Sequence, residues 1–247
     1  MSGHSKWSTI KRKKGAADSK RGVVFTRISK DITLAAREGG EDPDMNPSLR
    51  LAIKNAKTAN MPAANIERAI NKGTGNLLGI KYENYIYEGY GPGGTAIMLE
   101  VMTDNKNRTV PDIRHIMSKN GGNLGEQGCV NWMFEKKGTI TVPKDGIDED
   151  SILGISLDLG ADDFQSENDA FVITTMLEDF GVVSKGLEDK GYEIDGEVGS
   201  VPINMVKISR ADAKQLLGLL EKLEEHEDIQ KVYSNFDLDE SEMEFLL

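Results

Sequence analysis

Near residue 80 the apolar residues change their spacing, which restricts the chain to a helical segment followed by mixed α and β structure. Before that point Phe25, Ile28, Ile32 and Ala35 recur at three and four, one buried face of an amphipathic helix. Gly39-Gly40 ends this helix. Arg27, Lys30 and Arg37 lie on another face and are expected to form a cationic stripe pointing away from the core. Asn46-Pro47 suits the N-cap and first position of a second helix, with Leu49, Ala52, Ile53 and Ala56 inside and Arg50, Lys54 and Lys57 outside. A third helix starts near Pro62, buries Ile66, Ala69 and Ile70, and stops at Gly73. Residues 1–80 are thus expected to form a small helical domain with a basic outer surface.

Beyond residue 80, short strands alternate with helices. Tyr82 to Glu88 and Thr95 to Thr103 flank the turn Gly89-Tyr-Gly-Pro-Gly-Gly94 and predict a hairpin. Thr109, with Asp112 three residues on, predicts the N-cap of a helix that Gly121-Gly122 terminates, and a strand is expected near Val130 to Phe134. Strands at 139–142, 163–165, 171–174 and 192–198, with helices near 149–159 and 178–190, follow the β-α-β-β-α-β order of a ferredoxin-like unit. A helix over 210–225 and a strand over 229–235 have no partner in that unit and must return to the hairpin. The expected fold class is α+β with three domains: a helical domain over 1–80, a discontinuous α+β domain over 81–137 plus 204–247, and a ferredoxin-like domain over 138–203 inserted in it.

Charge follows the same division. Up to Ile80 nine Lys and six Arg face seven acids, a net +8, while the whole chain carries −11. From Lys6 to Arg21 seven basic residues stand against Asp18 alone, with Trp7 among them. A phosphate backbone is the commonest partner of such a segment, because each neutralised phosphate releases a condensed counterion. Trp7 has two open roles, stacking on an unpaired base or anchoring the basic arm to the helices. The acidic remainder would keep the rest of the molecule off a polyanion.

Other chemistry has little support. Cys129 is the only cysteine, so neither an intrachain disulfide nor a multi-thiolate zinc site is available, and a reducing compartment fits. His4, His115 and His226 show no ligand spacing. Gly89 to Gly94 matches no phosphate-loop signature, and Asp104, Asn105, Asn107 and Arg108 at a strand-to-helix junction are the usual turn and cap residues. No apolar run reaches the length of a membrane span and no secretory signal opens the chain, so the expected place is the cytoplasm. No cofactor, metal, membrane or small-molecule substrate is expected; the remote alternative is an enzyme that uses the glycine hairpin and the Asp104 to Arg108 junction on a phosphorylated small molecule.

Several strings occur in order: Gly3-His-Ser-Lys-Trp7, Lys20-Arg-Gly22, Gly40-Glu-Asp-Pro43, Tyr87-Glu-Gly-Tyr-Gly-Pro-Gly-Gly-Thr-Ala-Ile97, Asn107-Arg-Thr109 and Gly121-Gly-Asn-Leu-Gly125. Together they resemble the YebC family over the whole chain. The resemblance implies a three-domain α+β protein without enzymatic activity, a probable transcriptional regulator binding DNA. It also points to translation, since a related mitochondrial branch activates translation and bacterial members are linked to ribosomes stalled on proline-rich sequences; RNA and the ribosome are therefore the alternative partners. The family pattern begins at residue 2 or 3, which implies the bacterial cytoplasmic type. The family's basic motif falls on Lys6, Trp7, Lys11, Arg12, Lys13, Lys14, Lys20 and Arg21; with Arg27 and Lys30 of the cationic stripe, these are the expected nucleic-acid contacts.

Overall fold

A computed structural model describes residues 19–75, 82–167 and 169–238, with side chains from residue 22 onward. Helix α1 (Ser19–Gly39) packs along α2 (Pro47–Thr58) and α3 (Ala63–Gly73). Their shared core is Ile32, Ala36, Leu49, Ala52, Ala56, Met61, Ile66 and Ala69, with Phe25, Ile28, Ile53 and Ile70 at its edges, as the apolar spacing predicted. Asn46 is buried and makes three bonds: its Oδ1 accepts from the Leu49 N–H (3.0 Å), and its Nδ2 donates to the carbonyls of Ala35 (2.8 Å) and Gly40 (2.9 Å). One amide caps α2 and ties it to the end of α1. Gly73 lets α3 touch α1, since a methyl there would meet the Thr33 carbonyl and the Ala36 side chain.

Strands β1 (Glu83–Tyr90) and β2 (Ala96–Thr103) pair antiparallel from Glu83↔Thr103 to Tyr90↔Ala96, the expected hairpin. The turn needs left-handed backbone at Gly93 (φ 72°), which packs on Ile208. Helix α4 (Lys106–Lys119) begins one turn before the expected site. Asn105 is the cap, its Oδ1 accepting from the Arg108 N–H at 3.2 Å, whereas Thr109 is buried inside the helix. Pro111 lies inside this helix, past its first turn, and supplies no N–H to the helical ladder there. The two-residue β3 (Asn123–Leu124) pairs with β1. The strand expected near 130–134 is a short 3₁₀ turn, Asn131–Met133, before β4.

Strand β4 (Phe134–Pro143), α5 (Glu149–Asp158), β5 (Asp163–Ser166), β6 (Ala170–Thr175), α6 (Phe180–Asp189) and β7 (Asp195–Pro202) form an antiparallel sheet of order β5-β6-β4-β7. The first strand lies between the third and the fourth, the ferredoxin-like arrangement. Ile140, Val142, Ile152, Phe171, Ile173, Val183 and Leu187 are its core. Residues 132–205 make one compact unit.

After it come β8 (Val206–Lys207), α7 (Arg210–Glu224), β9 (Ile229–Ser234) and β10 (Phe236–Asp237). Strand β9 pairs with β2, giving the sheet order β3-β1-β2-β9, and β10 pairs parallel with β8. Helix α7 presents Leu216, Leu219, Leu220 and Leu223 to Ile97, Leu99, Val101, Ile113 and Met117. The second compact unit therefore contains both the three helices and this sheet.

Candidate nucleic-acid interface

Lys6, Trp7, Lys11, Arg12, Lys13 and Lys14 lie outside the described residues, and Lys20 and Arg21 fall in the first turn of α1 without described side chains. Among described side chains, Arg50, Lys54 and Lys57 are on the outer face of α2, away from its buried residues. Spacings of four and three align them as one ridge on a helix that contains no acid.

The expectation for Arg27 and Lys30 is corrected. They point away from the helical core but into the α+β sheet, and Lys30 is 4% exposed. Its Nζ lies 2.5 Å from Asp228 Oδ1 and also donates to the carbonyls of Glu227 (2.9 Å) and Met102 (3.1 Å). Arg27 donates to the carbonyl oxygens of Glu224 and His226. These cations complement the carbonyl-rich end of α7. Helical period alone shows that a stripe leaves one core, not that a second body covers it.

Asp228, 1% exposed by its side chain, is the hub of this contact. Besides Lys30 its carboxylate receives the hydroxyls of Thr109 (2.7 Å) and Thr103 (3.2 Å) and the Arg108 guanidinium (3.0 Å). Burial alone would raise its pKa; Lys30, Thr109 and Arg108 outweigh burial and hold it well below the usual carboxylate range. The Asp104 to Arg108 junction is thereby explained: Asn105 caps α4, and Arg108 bridges Asp104 and Asp228. Sequence reading misses Asp228, because nothing local separates it from the acids around it.

Glu88 is a second missed carboxylate, 4% exposed. It accepts from the backbone N–H groups of Gly128 (2.7 Å), Val130 (2.8 Å) and Asn131 (2.7 Å). Burial pushes Glu88 up, but the three N–H groups prevail and lower it. Cys129, half-buried in the same loop, is pushed up by burial and by Glu88, so its thiolate is disfavoured. Among the described residues no three His, Cys, Asp or Glu side chains are grouped to hold a metal. No helix among them is long and apolar enough to cross a membrane.

Between α1 and α3 runs a groove of about 340 Å³ lined by Phe25, Thr26, Ser29, Asn65, Arg68 and Lys72, with Tyr82 at one end. Lys72 donates to the Tyr82 hydroxyl (2.9 Å) and sits over its ring, 4.7 Å from the centroid. The wider cavity of about 520 Å³ where α1 meets the sheet mixes Asp31 and Glu100 with Lys231 and offers no single sign of charge.

Fold and surface define a modular α+β protein whose exposed cationic face is carried by a helical domain clamped to a sheet through one buried carboxylate. Residues 5–76 match the family model described as the TACO1/YebC protein N-terminal domain, and residues 82–236 match the TACO1/YebC second and third domain. The chain belongs to the TACO1/YebC family. It is 52% identical over 248 residues to a probable transcriptional regulatory protein of Natranaerobius thermophilus, covering 99% of each chain. A protein of the same description from Pelotomaculum thermopropionicum is 54% identical over 97% of this chain and 100% of its own. Among solved structures, a conserved hypothetical protein of Aquifex aeolicus matches with a TM-score of 0.81 and 44% identity, covering 90% of this chain and 93% of that one.

Proposed function

We propose that this protein is a non-enzymatic regulator of gene expression that binds nucleic acid through its N-terminal domain, in the cytoplasm. The observation that carries this reading is the acid-free ridge of Arg50, Lys54 and Lys57 on the domain that also bears the Lys6 to Arg21 segment. DNA is the target that the relatives' names support. RNA, within the ribosome, is favoured by the kind of contact on offer: a ridge of Lys and Arg engages phosphates, which position a protein without reading base sequence. The proposed division of labour gives nucleic-acid contact to residues 1–80 and leaves the remainder, acidic enough to turn their +8 into −11 for the whole chain, facing other partners.

The test is fluorescence anisotropy of the full chain against duplex DNA and structured RNA over a salt series. Affinity is expected to fall steeply with salt, and replacing Lys11, Arg12, Lys13 and Lys14 together with Ala is expected to flatten the slope by about one for each phosphate that is no longer neutralised. Unchanged affinity and slope in the folded fourfold variant would remove the basic segment from the interface. Tighter binding to one polyanion at matched salt decides between DNA and RNA.

A further inference from the structure

The α1–α3 groove has a chemistry that a positively charged surface alone does not require. On α1, Thr26 and Ser29 stand three apart, with Phe25 beside them, and bring hydroxyls and an aromatic ring to one wall. On α3, Asn65, Arg68 and Lys72 stand at spacings of three and four and bring an amide and two cations to the other. Among the described residues no acid lines the groove. Arg68 is exposed, and Lys72 is oriented by Tyr82, which accepts one of its three N–H groups and leaves the others for a ligand. Tyr82 is itself held by α1, its carbonyl accepting from Arg37 at 3.1 Å. The cation end is therefore built, not a loose surface lysine. The volume, about 340 Å³, suits one nucleotide and is too small for a duplex edge.

We infer that this groove seats one unpaired nucleotide of a single-stranded segment, its phosphate between Arg68 and Lys72, its sugar beside Ser29 and Asn65, and its base against Phe25. Double helices hide their base faces and hold their phosphates too far from the groove floor to use these groups together. Single strands expose both, and an aromatic contact beside a cation is how proteins hold them without sequence preference. The hydroxyl and amide pair also supplies partners for a ribose 2′-OH, which deoxyribose lacks. The inference rests on the nucleic-acid reading above and narrows it to a strand type and a site.

The test uses the full chain with labelled oligouridine, oligothymidine of equal length and duplex DNA. Arg68→Ala, at an exposed position, is expected to weaken single strands about tenfold and duplex about twofold or less. Oligouridine carrying 4-thiouridine is expected to cross-link to the peptides containing Phe25 or Tyr82, which a merely electrostatic surface would not favour. Tighter binding of oligouridine than oligothymidine identifies RNA as the source of the nucleotide; equal binding retains the groove for either single strand. Equal weakening of single strand and duplex by Arg68→Ala, or cross-links confined to other peptides, overturns the groove while leaving nucleic-acid binding intact. Absence of binding to all three probes by the unaltered chain overturns the functional reading itself.

Discussion

Asp228 shows how much one residue carries here. It accepts from a lysine of one helix, a threonine of another and the strand that precedes it, so removing any donor leaves charge in a dry place. Lys30→Ala is expected to cost about 3 kcal/mol, because Asp228 loses its buried counter-charge and keeps only the exposed Arg108. Lys30→Ala combined with Asp228→Ala should cost less than the sum of the single changes, measured by chemical unfolding. The pH dependence has a definite sign. A carboxylate whose folded pKa is depressed stabilises above its unfolded pKa, about 3.9, and that contribution is lost as pH falls through the range below it. The stability gap between the natural chain and Asp228→Asn should therefore narrow between roughly pH 5 and pH 3. A constant gap would mean that Asp228 acts by shape and not by charge. Cys129 belongs to the same scale: its raised pKa predicts slow alkylation of the native protein at neutral pH.

At the level of the element, two contacts set how the three helices fit. Asn46 caps α2 and fastens it to α1, so Asn46→Ala removes one cap and two bonds to the carbonyls of Ala35 and Gly40; about 2 kcal/mol is expected. Gly73 is a point of close approach of α3 to α1, and Gly73→Ala should destabilise by about 1–3 kcal/mol despite the better helix propensity of alanine. Thermal melts of both variants against the natural chain check these values. A more stable Gly73→Ala would show that α1 and α3 can separate without cost. The cationic ridge of α2 touches neither contact, so Arg50, Lys54 and Lys57 should be replaceable with little change in melting temperature.

For the whole molecule, the two compact units have separate cores. A fragment of residues 132–205 is expected to fold alone with a cooperative transition, since its sheet is complete and both its helices pack on it. Circular dichroism and exchange-protected amides would establish this; a disordered fragment would mean that the unit borrows its stability from elsewhere. The remaining chain holds helices and sheet together through Lys30, Arg27 and Asp228, so those variants should move its transition and leave that of 132–205 in place.

Most elements are legible because they depend on local period and punctuation. Ile28, Ile32 and Ala35 recur at the helical repeat, the glycines of Gly89 to Gly94 permit the hairpin turn, and the β-α-β-β-α-β order leaves few ways to build a sheet. The start of α4 is displaced because Thr109 has the chemistry of a cap, and only burial shows that its hydroxyl serves Asp228 while Asn105 does the capping. The ridge of α2 can be read outward from its spacing, but the same reasoning sends Lys30 outward too, and there it fails. Period tells which side chains leave a helix's own core; whether they meet water or a buried carboxylate some two hundred residues away along the chain depends on what packs there, and sequence separation hides that from any local rule. The sequence alone thus determined most of the elements and the charge asymmetry, and from the charge it set the expectation of a polyanionic partner. Tertiary packing decided which of the described cations stay at the surface, because Lys30 is taken up by a buried carboxylate and Arg50, Lys54 and Lys57 are not.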